Sequence, residues 1–155
     1  MTTSASNQGA RYEALLQLLR TADTLWNASR AFFDQWNLSP SQFNVLSLLR
    51  SQPGGLSQTE LSRELIMHRS NATGLVDRLE KRGLVQRQEV TGDRRAYRVV
   101  LTLAGTDLLQ SILPKYYQRA DEVWGDLGQA QVRRLVAELR TVAENAERIG
   151  KEVVP

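Results

Sequence analysis

Cysteine is absent from the 155 residues, and with it go disulfides, thiolate nucleophiles, thiol redox sensing and Cys-ligated metal sites. Histidine is reduced to His68, which leaves no second imidazole for a His-rich zinc site. Long apolar runs are missing too. The longest hold three residues, as in Val99-Val100-Leu101, against the roughly 20 that a membrane helix needs. Met1 to Gly9 contain neither a basic nor an apolar segment and do not read as a signal peptide. No Gly-x-Ser-x-Gly elbow and no phosphate-cradling glycine loop accompanies the lone histidine. The expectation is a cytoplasmic protein with no membrane partner, no metal, no cofactor and no catalytic role.

Lysine is also scarce: Lys81, Lys115 and Lys151 stand against 17 arginines. Arginine is the cation suited to bidentate phosphate and base-edge contacts. The net charge is +3, and it is unevenly placed. Arg63 to Arg98 hold nine basic and five acidic residues, whereas the rest of the chain is acidic by one. With 41% hydrophobic and 24% charged residues, the chain reads as one soluble domain, or two small lobes sharing a core. A chain of this length buries about 70% of its unfolded surface.

Apolar residues at Leu15, Leu18, Ala22, Leu25, Phe32 and Trp36, with Ser29 in step, alternate spacings of three and four. That seam predicts a helix over 10–36 that packs on other helices. Ser39-Pro40-Ser41-Gln42 supplies an N-cap, a first-turn proline and a capping-box Gln for a helix near 40–51. Ser57-Gln58-Thr59-Glu60 is a second capping box, with Leu56 and Leu61 as its hydrophobic staple, opening a short helix that ends near Leu65. A fourth helix is predicted from Arg69 to Arg82, with Ala72, Leu75, Val76 and Leu79 on one face and Gly83 as its stop. Leu84–Val90 and Ala96–Leu101 are β-prone runs joined by the charged tip Thr91 to Arg95. Tyr97, Val99 and Leu101 alternate with Arg98 and Val100, so one strand face covers a core. Helical periodicity resumes from Thr102 and reaches Val153, with a kink expected at Pro114 and a break at Gly125 to Gly128.

This order is that of an α+β, mostly helical, winged helix-turn-helix. The helix that enters the major groove needs an apolar back and a front of short polar or basic side chains. With the apolar face turned in, Arg69, Ser70, Asn71, Thr73, Asp77, Arg78 and Lys81 are outward. Ser70, Asn71 and Thr73 are poor helix formers, and a plain surface helix gains nothing from them. The hairpin tip places Arg94 and Arg95 to follow the backbone into a minor groove, while Asp93 pairs with a neighbouring arginine and supports the wing. The plain alternatives are an amphipathic surface helix and a soluble charged turn.

The run Leu75 to Val85, followed by Asp93-Arg94-Arg95, Leu101-Thr102 and Gly105, resembles the multiple antibiotic resistance regulator (MarR) family of bacterial transcription factors. The stretch Leu61 to Gly105 carries the likeness, and the flanking helices extend it to nearly the whole chain. The resemblance implies a homodimeric winged-helix protein whose terminal helices interlock. It further implies a pseudo-palindromic double-stranded DNA operator, usually repressed, and often released by a small aromatic molecule. It assigns Arg69, Ser70, Asn71 and Thr73 to the recognition-helix front, and Asp93 with Arg95 to the wing. Gly74 stands where many members carry a larger side chain, and His68 where Asp is frequent. Trp26, Phe33 and Trp36 either line an effector pocket, as the resemblance implies, or pack the core beside Phe32.

The expected layout is thus a flexible start over 1–9, dimerisation helices over 10–36 and 103–153, and a DNA-binding lobe over 37–102. The rival is a winged helix kept as a protein-interaction module that does not bind DNA, because a fold does not fix a function.

Overall fold

The structure, a computed structural model, describes residues 3–65, 72–90 and 93–152, with backbone alone for 3–8 and 93–96. Helices α1 (Thr3–Asp34), α2 (Pro40–Arg50), α3 (Gln58–Glu64) and α4 (Ala72–Lys81) come first. The antiparallel hairpin of β1 (Val85–Val90) and β2 (Asp93–Leu101) follows, then α5 (Leu103–Trp124) and α6 (Gln129–Glu152). This is a winged helix. The chain divides into two compact units, residues 1–110 and 111–155, and α5 begins in the first and ends in the second.

In the first unit, α1 starts at Thr3 and not near residue 10, because backbone hydrogen bonds extend the helix beyond the apolar repeat that marks it in the sequence. It ends in a Schellman turn: Leu38 N–H donates to Phe33 C=O (3.2 Å) and Asn37 N–H to Asp34 C=O (2.8 Å), with Asn37 left-handed at φ 53°. The seam expected to pack is largely uncovered within this chain. Leu15 is 53% and Leu25 41% exposed, and Phe33, off the seam, is the buried residue of α1 among those described. Its ring stacks on Phe43 of α2 with centroids 4.3 Å apart.

Both capping boxes form. Ser39 N–H donates to Gln42 Oε1 (2.8 Å) and Gln42 N–H to Ser39 Oγ (3.2 Å), with Pro40 in the first helical turn. Ser57 N–H donates to Glu60 Oε2 (2.7 Å) and Glu60 N–H to Ser57 Oγ (3.3 Å). The backbone N–H of Ser57 and then its hydroxyl, and after them the charges of Arg98 and Arg63, hold the Glu60 carboxyl below the ordinary carboxylate range. The support from this lowered value is complete at neutral pH and fades as acid titrates Glu60 through it. Leu56 and Leu61 are both buried, as a staple requires.

Helix α4 buries Ala72, Leu75, Val76 and Leu79 and leaves its other face open. Gly83, at φ 68°, closes it: Gly83 N–H donates to Glu80 C=O (2.8 Å) and Leu84 N–H to Leu79 C=O (3.0 Å). Strand β2 reaches back to Asp93, further than the run Ala96–Leu101, and the register slips at Glu89/Val90 so that Val90 pairs with Asp93. The bulge accommodates three extra residues on β2, letting the strand continue through a charged stretch that lacks apolar alternation.

Val99 and Val100 are both buried, so β2 is covered on two faces and not on one. The cause is the loop before α3. Leu56 and Val99 exchange backbone hydrogen bonds of 3.0 and 2.8 Å. Gly55, at φ 71°, lies so near that a Cβ there would stand 2.5 Å from the Val99 carbonyl oxygen and 2.6 Å from Val100 Cγ1.

Thr102 caps α5 by accepting from Gly105 N–H (3.0 Å) and donating its hydroxyl to the Gly83 carbonyl (2.6 Å). In the second unit, helical structure is continuous through Pro114, and Gly125 (φ 53°) ends α5 before α6. No residue of α6 is buried.

Gly105 packs directly against the backbone of Leu84, because a Cβ there would overlap the Leu84 carbonyl oxygen. Gly105→Ala is expected to destabilise by about 1–3 kcal/mol or more, although alanine is the better helix former. Urea unfolding measures it, and a more stable variant would show that the close approach is not limiting.

Candidate nucleic-acid interface

The open face of α4 and the hairpin form the strongest candidate site, so what holds them together matters first. Asp77 and Glu80 lie one turn apart on α4, and both face β1. Arg87 of β1 bridges them: Nη2 donates to Asp77 Oδ1 (2.5 Å), Nη1 donates to Glu80 Oε2, and the Arg87 backbone N–H donates to Glu80 Oε1 (2.9 Å). The guanidinium also lies over the Tyr97 ring, 5.2 Å from its centroid. Burial works against this charge, but bonds to Asp77 and Tyr97 and the charges of Glu80 and Asp77 outweigh it and raise the Arg87 pKa above its ordinary value. Asp77 is therefore a strut between helix and wing, and not the free outward residue that the helix pattern suggests.

Two further arginines are spent on backbone carbonyls. Arg82, just beyond α4, donates to Asn37 C=O (2.5 Å) and Trp36 C=O (3.0 Å), placing its charge at the carbonyl end of α1. Arg98 of β2 donates to Gly54 C=O (2.8 Å) and Gly55 C=O (2.6 Å) and lies 3.5 Å from Glu60. Part of the basic excess of residues 63–98 is thus structural.

Of the residues expected to meet DNA, Arg69, Ser70 and Asn71 lie outside the described residues, as does His68. Thr73 and Arg78 are exposed on α4, as is Lys81, while Gly74 is half-exposed. Thr73 Oγ1 accepts from Gln58 Nε2 of α3. Asp93, Arg94 and Arg95 lie on β2, where the structure describes their backbone. For the expected ligand pocket, Trp26 and Trp36 are half-exposed on and just beyond α1, and Phe33 is a core ring held between Phe43 and Phe32. Phe32 also packs against Trp36 at 5.2 Å.

Sequence reasoning missed Gln58, Arg82, Arg87, Tyr97 and Arg98. Most of these act across 15 to 46 residues of chain, where periodicity is blind. One signal was present. Asp77 and Glu80 at i, i+3 are carboxylates on one helix face, and they invite a shared cation from the next element.

Among the described residues no three His, Cys, Asp or Glu side chains gather as a metal site, and no helix is long and apolar enough to cross a membrane.

A family model described as MarR family matches residues 36–96, which run from just beyond α1 into the hairpin. The transcriptional repressor MprA of Escherichia coli (strain K12) is 30% identical over 118 residues, covering 76% of this chain and 67% of MprA. Among solved structures, the transcriptional repressor CouR bound to a 23-mer DNA duplex superposes with a TM-score of 0.73 at 31% identity, over 82% of this chain and 89% of CouR. BpsR of Bordetella bronchiseptica, whose DNA binding is regulated by 6-hydroxynicotinic acid, superposes with a TM-score of 0.67 at 27% identity, over 82% of this chain and 98% of its own.

Arg87→Met keeps the bulk of the side chain but leaves Asp77 and Glu80 facing each other without a cation. The Arg87 side chain is 24% exposed, so solvent screens part of the loss. The expected cost is about 1–2 kcal/mol in denaturant unfolding. A change below about 0.5 kcal/mol would place it with ordinary surface pairs.

Proposed function

The chain belongs to the MarR family of DNA-binding transcriptional regulators, and from that premise we propose that it is a homodimeric repressor released from its operator by a small aromatic ligand. The observation that carries the reading is the asymmetry of α4. Its back is buried at Ala72, Leu75, Val76 and Leu79, and its front leaves Thr73, Arg78 and Lys81 open. A hairpin bearing Arg94 and Arg95 follows directly. A helix of this kind fits the major groove, and the hairpin arginines fit the adjacent backbone and minor groove.

In this reading Arg69, Ser70, Asn71, Thr73 and Arg78 contact DNA from α4 and the residues before it. Arg94 and Arg95 contact it from the wing, which Asp93 supports. The helices over 10–36 and 103–153 supply the dimer lobe, and residues 37–102 the DNA-binding lobe. The uncovered apolar side chains of α1, such as Leu15 and Leu25, support a second copy as their cover. The cytoplasm is the compartment where such a protein meets its operator.

The ligand part of the reading has narrower support. Trp26 and Trp36 offer half-exposed rings, and Phe33 would form the floor beneath them. BpsR supplies a precedent for an aromatic acid. A ligand that lowers operator affinity a hundredfold needs about 2.7 kcal/mol of preference for the released state.

Gel-shift titrations across a salt series test the proposal. Wild type is expected to bind its operator with steep salt dependence. Arg95→Ala should weaken operator and random duplex alike and reduce the log–log slope by about 0.9. The same titration with a panel of small aromatic acids reads ligand release through loss of the shifted band. A protein that shifts no duplex at low salt, or an Arg95→Ala slope equal to wild type, would contradict the assignment.

A further inference from the structure

Three polar side chains from three elements meet beside the open face of α4. Gln58, the first residue of α3, donates from Nε2 to Oγ1 of Thr73, and its Oε1 accepts from the phenol of Tyr97 on β2. Gln58 and Tyr97 are half-buried and Thr73 is exposed. The Tyr97 ring lies beneath Arg87, which Asp77 and Glu80 hold in turn, so the far end of the chain is itself anchored.

A threonine hydroxyl on its own discriminates poorly, since by rotating it donates to one partner and accepts from another. A fixed amide beside it narrows that freedom. With the Tyr97 hydroxyl donating to Oε1, the Gln58 NH₂ group faces Thr73. One of the two Thr73 Oγ1 lone pairs is then taken, and the hydroxyl turns its proton away from the amide, so the proton is offered outward beside one remaining lone pair. In the major groove the acceptors are guanine N7 and O6, adenine N7 and thymine O4, whereas the cytosine amino group is a donor.

We propose that Gln58 is a specificity-determining positioning residue that, fixed by Tyr97, turns the Thr73 hydroxyl proton outward and so biases that position toward the acceptor edges of bases over the cytosine amino group. The inference rests on the reading of α4 as the groove-entering helix, and names how one position of that reading is set.

The test is selection from a random duplex pool by the full-length wild type and by Gln58→Ala, Tyr97→Phe and Thr73→Val, with affinities measured across a salt series. Thr73→Val is expected to flatten the preference at one position in each half-site by about fivefold or more. Gln58→Ala and Tyr97→Phe are expected to flatten that same position. Other positions and the salt slope stay unchanged, since none of the three side chains carries a charge. Tyr97→Phe removes one oxygen and keeps the ring under Arg87, so it carries the test if Gln58→Ala does not fold. The proposal is overturned if Gln58→Ala and Tyr97→Phe leave the Thr73 position untouched, or erode every position evenly as a purely structural brace would. A wild-type preference for cytosine at that position overturns it as well. A wild type that selects no sequence removes the groove-reading premise and this inference together, a result distinct from an intact preference that ignores Gln58.

Discussion

Arg87 brings a permanent charge into a half-buried position between α4 and the hairpin, tolerable because two carboxylates and an aromatic face meet it there. The dependence runs both ways. Without the guanidinium, Asp77 and Glu80 would repel across one helical turn; without them, it would lack its partners. The junction therefore ties the direction of the hairpin to that of α4. It also pins the Tyr97 ring, and through the Tyr97 hydroxyl it reaches Gln58 and the front of α4. Shape at the proposed DNA surface thus depends on polar contacts around one arginine as well as on the apolar back of the helix.

Much of the first unit was legible because its signals are local. The boxes at Ser39/Gln42 and Ser57/Glu60, the stop at Gly83 and the apolar face of α4 each involve residues no more than seven apart, within reach of helical periodicity. Other features were out of reach. Phe33 falls off the heptad-like seam, yet it is the ring that seats α1 on α2, since its partner Phe43 lies beyond the turn. Burial of Val100 depends on a glycine 45 residues earlier letting a loop lie against the strand. The strand's continuation to Asp93 depends on a bulge that alternation does not encode. For the candidate site, the helix and hairpin singled out in the sequence do form, but the helix pattern treats Asp77 as outward and passes over its partner Arg87.

The terminal helices pose a different physical problem. Leu15, Leu19 and Leu25 on α1 are exposed in the first unit, and Val142 and Ile149 on α6 are exposed in the second. Apolar side chains repeated along two long helices are costly to leave in water, and in the proposed dimer a second copy of the chain would relieve that cost symmetrically. The regulator we propose needs such a dimer, because two recognition helices related by a two-fold axis read a pseudo-palindrome where one reads half of it.

The central claim is that paired copies of α4 and the hairpin read DNA. Hydroxyl-radical footprinting on a high-affinity duplex tests it most directly. The account predicts two protected patches related by a dyad, with half-sites about 10 bp apart centre to centre, each flanked by minor-groove protection from the wing. A single unpaired patch, or uniform protection that ignores sequence, would contradict it.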